Sequence, residues 1–210
     1  MTMGAHTTAE QANRIRILEE KERAGSASCD ELLDLSLLAL EPQHDGFRAA
    51  ELLGRVDAEC GDPRAKLWLA FTCIYELMDQ GSLRSAIKAC GGLLELSENV
   101  KLRAAAWMLR AAALRHLSPV EDVRTDVEQS VRLAPEWIAN RQLLAEVLSE
   151  RGDRGGAEEQ LKQALTNVQQ MSPPESYEQY MFQLLITAQR SAGIANRLTR
   201  KIEELRRDAR

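Results

Sequence analysis

Hydrophobic residues recur along this chain in steps of three and four, and Gly, Pro and Ser/Asp start signals interrupt them at short intervals. That rhythm puts one apolar stripe on each of a succession of helices. Residues 1–7 carry no such pattern and are expected to be a disordered start. Thr8-x-x-Gln11 reads as a capping box, in which side chains satisfy orphan backbone amides, and opens a helix with Ala12, Ile15 and Leu18 on one face, ending near Gly25. Ser28-x-x-Glu31 opens a second, with Leu32, Leu35 and Leu38 on one side and Leu33, Leu37 and Leu40 widening it, before Pro42. A third follows Asp45, with Phe47, Ala50, Leu53 and Val56 as its stripe, and stops at Gly61. Asp62-Pro63 starts a fourth, apolar nearly all round, over about 63–80; Gly81 ends it and Ser82 caps the next.

The fifth helix holds Leu83, Ala86, Ile87, Cys90, Leu93 and Leu94, with Gly91-Gly92 inside it as a close-packing point or a kink. The sixth runs over about 100–116. Ser118-Pro119-Val120-Glu121 starts the seventh, to Leu133, and Pro135 opens the eighth, to Gly152. The ninth passes Gly155-Gly156 and reaches about Val168. Ser172-Pro173-Pro174-Glu175 starts the tenth, to about Ser191, and Gly193 precedes an eleventh, Ile194 to about Asp208. Connections this short make sequential helices antiparallel hairpins. No linker interrupts 8–210, which is expected to be a single domain.

Two stretches between Ala104 and Gln170 repeat each other at a spacing of 34 residues. Val123, Val127 and Val131 correspond to Ala157, Leu161 and Leu165, Ala111 to Ala145, and Leu114 to Leu148. Self-similarity at this period marks stacked helical hairpins. The residues resemble the tetratricopeptide repeat, whose pattern is W-x2-L-G-x2-Y, then A-x3-F, then P. Trp107, Arg110, Ala111, Leu114, Val123, Val127 and Pro135 fall at the matching positions, with Arg110 in place of the usual leucine. Leu144, Ala145, Leu148, Ala157, Leu161 and Ala164 follow, with Arg141 at the tryptophan position and Gln169 at the proline position. Trp68, Phe71, Thr72, Tyr75, Ala86 and Cys90 form an irregular earlier copy, its halves two residues too far apart. Degenerate hairpins flank these at both ends.

The resemblance implies an all-α fold, an α-α superhelix: a right-handed solenoid of antiparallel hairpins with about eleven helices and a concave binding face. It implies a protein–protein interaction module binding a partner protein or peptide, as an adaptor, dedicated chaperone or inhibitor of a partner. Alternatives are a nucleic-acid-associated regulator and a self-associating scaffold, since the end of a solenoid presents an apolar face.

Composition narrows the choice. The chain is 44% hydrophobic, 28% charged and 4% aromatic, which suits helices and a buried core. A net charge of −5 disfavours nucleic acid and suits a partner with a basic contact surface. Only 194–210 is basic, with Arg197, Arg200, Lys201, Arg206, Arg207 and Arg210 against Glu203, Glu204 and Asp208. Cys29, Cys60, Cys73 and Cys90 form no metal-type spacing and read as buried thiols in a reducing compartment. The first residues lack a basic segment followed by an apolar run, and no stretch is long enough to span a membrane, so a cytoplasmic location is expected.

Catalytic, cofactor and metal sites are not expected. His6, His44 and His116 stand in no ligand spacing, the glycine pairs follow no strand, and adjacent glutamates in helices point apart. One chemically notable feature is the stripe Trp68, Phe71, Tyr75 and Met78. It either packs between hairpins, as the resemblance implies for Trp68 and Tyr75, or faces the groove, where aromatics anchor partners. In the second frame Met108, Ala112, Arg115, Gln142, Glu146 and Ser149 continue the groove, apolar at one end and polar at the other. The candidate partner-binding set is thus Trp68, Phe71, Tyr75, Met78, Met108, Arg115, Gln142 and Glu146.

Overall fold

The computed structural model describes residues 9–41, 43–118, 123–187 and 193–207. Among them are eleven α-helices and no strand. The chain divides into two compact units, Met1–Ser97 and Glu98–Arg210.

The first unit holds α1 (Ala9–Arg23), α2 (Cys29–Leu40), α3 (Gly46–Cys60), α4 (Pro63–Thr72) and α5 (Gln80–Leu96). Both bonds of the expected capping box form at α2: Glu31 N–H donates to Ser28 Oγ at 3.3 Å, and Ser28 N–H to a Glu31 carboxylate oxygen at 2.9 Å. Asp45 caps α3, and Asp62 with Pro63 starts α4 as the sequence indicates. Gly61 closes α3 at φ 65°, a left-handed position that glycine takes without a Cβ penalty. Leu32, Leu35, Leu38, Leu52, Leu53, Val56, Leu67 and Ile74 fill the core between α2, α3 and α4.

Two expectations for this unit are corrected. Phe47 was placed on the α3 stripe, yet it is 80% exposed; the buried face is Ala49, Leu52, Leu53 and Val56. A step of three falls about 60° short of a helical turn, so a stripe of 47, 50, 53 and 56 drifts half way round the helix. The second concerns the fourth helix, which does not run to 80. It passes into a single π-helical stretch, Cys73–Leu77, and stops at Met78 in the left-handed region at φ 55°. Asp79 then caps α5 in place of Ser82. Its carboxylate accepts the Gly81 and Ser82 N–H groups at 2.8 and 3.0 Å, and an anion is the stronger acceptor there. Gly91-Gly92 produces no break, since α5 runs through it.

Cysteine usage is corrected as well. Cys73 and Cys90 are buried free thiols, but Cys29 and Cys60 are joined by a disulfide across a Cα–Cα distance of 6.4 Å. The bond ties the start of α2 to the end of α3, the two ends that an antiparallel hairpin brings together.

The second unit holds α6 (Val100–Leu117), α7 (Arg124–Leu133), α8 (Ile138–Glu150), α9 (Arg154–Gln170), α10 (Tyr177–Thr187) and α11 (Ile194–Arg207). Helices α6 and α7 pair, α8 and α9 pair, and α7 and α6 both lean on α8. All ten residues of the 34-residue correspondence enter one apolar cluster, with Ile138, Leu144 and Val147 beside them. The small residues Ala111, Val123, Ala145 and Ala157 sit fully or almost fully buried where paired helices meet. The last two helices dock separately: α10 lies on α8, while α11 lies on α9 and adds Leu198 and Ile202 to the cluster.

Two start signals work later than expected. Pro135 lies in a turn closed by Trp137 N–H on Ala134 O at 3.2 Å, and α8 begins at Ile138. The Pro135 carbonyl is taken by Arg141 Nε at 2.6 Å and Asn167 Nδ2 at 3.1 Å rather than by the helix. Ser176, not Ser172, caps α10, accepting Gln179 N–H at 3.2 Å; Pro174 keeps the residue before it extended. The signals at Thr8, Pro42 and 119–121 and the expected disordered start lie outside the described residues, as does 188–191, assigned by sequence to the tenth helix.

Candidate interaction surfaces

The stripe on α4 divides at the π-helical stretch. Trp68 and Phe71 are 8% and 2% exposed and meet edge to face, ring centroids 5.5 Å apart. Phe71 also touches Tyr75 at 4.8 Å. Tyr75 is half-buried, and Met78, two residues past Glu76, is 53% exposed. A regular α-helix would keep all four on one side. The wider turn at 73–77 rotates the residues beyond it, so the first two rings serve the core and Met78 faces solvent.

The second-unit positions separate by polarity. Met108, Ala112 and Gln142 are buried. Arg115 of α6 reaches α8, donating to Glu146 at 2.7 Å and to Glu150 at 2.5 Å. Lys201 of α11 donates to the other Glu146 oxygen at 2.7 Å. Burial alone would raise the Glu146 pKa, but the hydrogen bonds and charges of Lys201 and Arg115 outweigh it and hold the carboxyl below its ordinary range. Thus the structure brings Arg115 and Glu146 together on neighbouring first helices of successive hairpins.

Arg110 explains its own departure from the repeat pattern. Its guanidinium forms a fork on Asp126 of α7 at 2.7 and 2.8 Å and lies over the Trp107 ring at 4.4 Å from the centroid. A leucine there would pack by area alone; the arginine latches α6 to α7 through a charge-assisted pair and a stacked ring. An arginine at an apolar repeat position with an acid 16 residues on, in the facing helix, was the readable signal.

Sequence reading missed the junction between the start of α3 and the end of the π-helical stretch. Gly46 is buried there, and a Cβ on it would lie 2.7 Å from Glu76 Cβ. Phe47 follows Gly46, and Met78 follows Leu77, whose side chain reaches 3.5 Å from the same point. His44 and Met78 are the non-glycine residues with positive φ among the described residues, at 58° and 55°, and both border this junction. The Cys73 thiol nearby is pushed up to about 11 by burial and by the Asp79 charge, so it is protonated at neutral pH and is no nucleophile. Among the described residues no group of three or more His, Cys, Asp or Glu side chains converges as a metal site, and no helix is long and apolar enough to cross a membrane.

No family model matches the sequence, and no curated protein matches it. Solved structures do. A crystal structure of MamA superposes with a TM-score of 0.61 at 17% identity, over 80% of this chain and 96% of that one. A thermophilic TPR protein of Thermus thermophilus gives 0.55 at 18% identity, over 85% and 98%. MamA residues 41 to the end from Desulfovibrio magneticus RS-1 give 0.52 at 17% identity, over 86% and 96%. The fold is therefore that of tetratricopeptide-like helical repeats.

Proposed function

We propose that the protein is an interaction module that holds a partner protein or peptide along the first helices of its hairpins, as an adaptor, dedicated chaperone or inhibitor of that partner. One observation carries this reading: Arg115, Glu146 and Glu150 on α6 and α8 form a shared charged wall on consecutive repeats. A wall built from side chains that already pair can exchange those pairs with a ligand's cations at modest cost, because partly exposed ion pairs are worth little. Together with the acidic net charge, it favours a partner with a basic contact surface. Residues 8–210 are taken to act as one domain.

Location is tied to the cysteines. In a reducing cytoplasm, expected from the sequence, Cys29 and Cys60 stand as two thiols; in an oxidising compartment they stand as the bond. Thiol labelling in intact cells distinguishes the two.

Affinity purification from the native host identifies the partner. Glu150→Arg is then expected to weaken the complex about tenfold, about 1.4 kcal/mol, at unchanged melting temperature. A complex indifferent to this change and to ionic strength overturns the charged wall as the docking face.

A further inference from the structure

The last two helices of the second unit take different places. The repeat hairpins α6 to α9 share one apolar cluster, and α11 adds Leu198 and Ile202 to it. Helix α11 stands where the first helix of a further hairpin would stand. It packs on α9 as α8 packs on α7, and its Lys201 reaches Glu146 of α8 at 2.7 Å, as Arg115 of α6 does. Helix α10 precedes it in the chain yet is left out of that row. No described residue of α10 enters the cluster, although Met181, Leu184, Leu185 and Ile186 are buried. It lies instead on α8. The Phe182 ring meets Trp137, at the start of α8, edge to face with centroids 6.1 Å apart, and Lys101 Nζ of α6 sits over the same ring at 5.3 Å. One side chain of α10 thus engages the first helices of two successive hairpins. The repeat cluster closes without α10, so this helix covers the array and is not part of its frame.

Resting on the reading that a partner lies along the first helices, we propose that α10 is an internal ligand. It occupies the seat of a partner protein's amphipathic helix and lifts off when that helix binds. The chemistry of the partner is read from the helix already seated there. Met181, Leu184 and Leu185 form one aliphatic stripe at steps of three and four, and Phe182 beside it supplies a ring to Trp137 and to the Lys101 cation. A partner helix with such a stripe and an aromatic residue next to it docks by its apolar face. The fit of α10 is incomplete. Trp137 is 1% exposed, and its indole N–H has no acceptor among the described residues, which is costly for a buried donor. Gln183, next to Phe182, is turned away to the Ser172 carbonyl, to which it donates at 2.7 Å. A partner helix that offers the indole an acceptor therefore has an advantage over α10.

The test uses the full chain and a synthetic peptide of residues 176–187. Hydrogen exchange of the unmodified chain comes first: α10 is expected to open about tenfold more often than α8 and α11, and exchange of all three in step overturns the proposal. Peptide binding is then read from the Trp137 indole N–H resonance in NMR spectra. Leu185→Glu puts a charge on the buried stripe and is expected to free the seat, so that this variant binds the peptide about tenfold more tightly than the unmodified chain. The peptide that itself carries Leu185→Glu is expected to leave the resonance in place. Phe182→Ala in the chain is a milder change, at a ring that is 37% exposed, and is expected to act in the same direction, which keeps the test decisive if Leu185→Glu fails to fold. Equal binding by the unmodified chain and the folded variants, or no shift of Trp137 in any of them, overturns the proposal. The peptide contains no Lys or Arg. Its failure therefore leaves the charged wall standing, and indifference of the native complex to Glu150→Arg leaves this seat standing.

Discussion

Helices α4 and α5 and the pair of hairpins α6 to α9 are written in the same repeat pattern but tolerate error differently. In the second unit the residues at the tryptophan position and the start of the second helix lie 16 apart, Trp107 to Val123 and Arg141 to Ala157. In the first unit Trp68 and Ala86 lie 18 apart. The two extra residues do not disturb the half of the repeat that packs: Trp68, Phe71, Ala86 and Cys90 are all buried. They are absorbed at the end of α4, by a wider turn over 73–77 and a left-handed Met78. A stacked repeat thus protects its contact rows and exports the mismatch to the helix end, where it becomes exposed apolar surface. The regular hairpins, with nothing to export, carry their variation inside the repeat, as the Arg110 to Asp126 latch.

The sharpest way to break this contrast is to cut on either side of the wide turn. Phe71→Ala removes a ring from a packed core and is expected to cost about 3–5 kcal/mol. Tyr75→Ala, on the half-buried side, is expected to cost much less. Urea denaturation followed by circular dichroism gives both values. Similar losses would mean that the π-helical stretch does not divide core from surface.

In the regular hairpins the corresponding weak point is polar. Asp126→Asn leaves the Arg110 guanidinium half-buried over Trp107 without its carboxylate. A charge-assisted hydrogen bond is worth about 1.5–3 kcal/mol, so a loss of about 2 kcal/mol is expected in the same experiment. Arg110→Leu, which restores the repeat's usual residue, should recover part of it when combined with Asp126→Asn. If the double variant is no more stable than the single, the latch is ordinary surface pairing.

How far the chain could be read follows the same division. The periodic positions were legible because each one is repeated 34 residues on, and all of them enter one core. Caps at Ser28 and Asp62 were legible because a side-chain oxygen sits at a fixed offset from the amide it accepts. Positions that depend on a turn's width were not. Nothing in Cys73 to Met78 announces an extra residue in the turn, and the shift of cap from Ser82 to Asp79 follows from it. The Cys29–Cys60 bond was hidden for a different reason: its partners are 31 residues apart and meet only once α2 and α3 are antiparallel. Of the residues expected along the groove, Arg115 and Glu146 meet across two helices, whereas Met108 and Gln142 are buried.

Smaller changes probe the cost of the exported mismatch. Met78→Gly relieves the left-handed position and is expected to add about 1 kcal/mol of stability, raising the urea midpoint. Gly91→Ala, in an uninterrupted helix with nothing within 4 Å of the new Cβ, is expected to add slightly less, about 0.8 kcal/mol. If Met78→Gly gains nothing while Gly91→Ala gains its share, the turn is held by contacts that compensate its strain.

The last contrast is in acid. Glu158 of α9 receives Arg206 of α11 at 2.7 Å and Lys162 at 2.9 Å, and these, Arg206 first, hold its pKa down to about 2. Unfolded, a glutamate titrates near its ordinary value of about 4.3. Because the folded pKa is the lower one, the pair stabilises fully above about 4.3. That contribution fades as pH falls, since the unfolded chain then takes up a proton that the folded one refuses, and it is gone once the folded carboxylate protonates near 2. The first unit has its own acid-sensitive anion in Asp79, lowered mainly by the Ser82 hydroxyl, and its contribution runs in the same direction. Salt separates them. At about 1 M ionic strength screening acts over about 3 Å, which weakens the exposed ion pair, whereas the Asp79 bonds to backbone amides and a hydroxyl persist. Hydrogen exchange in α11 is therefore expected to quicken in high salt at neutral pH while exchange at the start of α5 does not, and Glu158→Gln should reduce the salt response of α11 to the part carried by Lys201 on Glu146. Equal salt sensitivity at the two sites would mean that α11 is held by its apolar face, Leu198 and Ile202, and owes nothing to its charges.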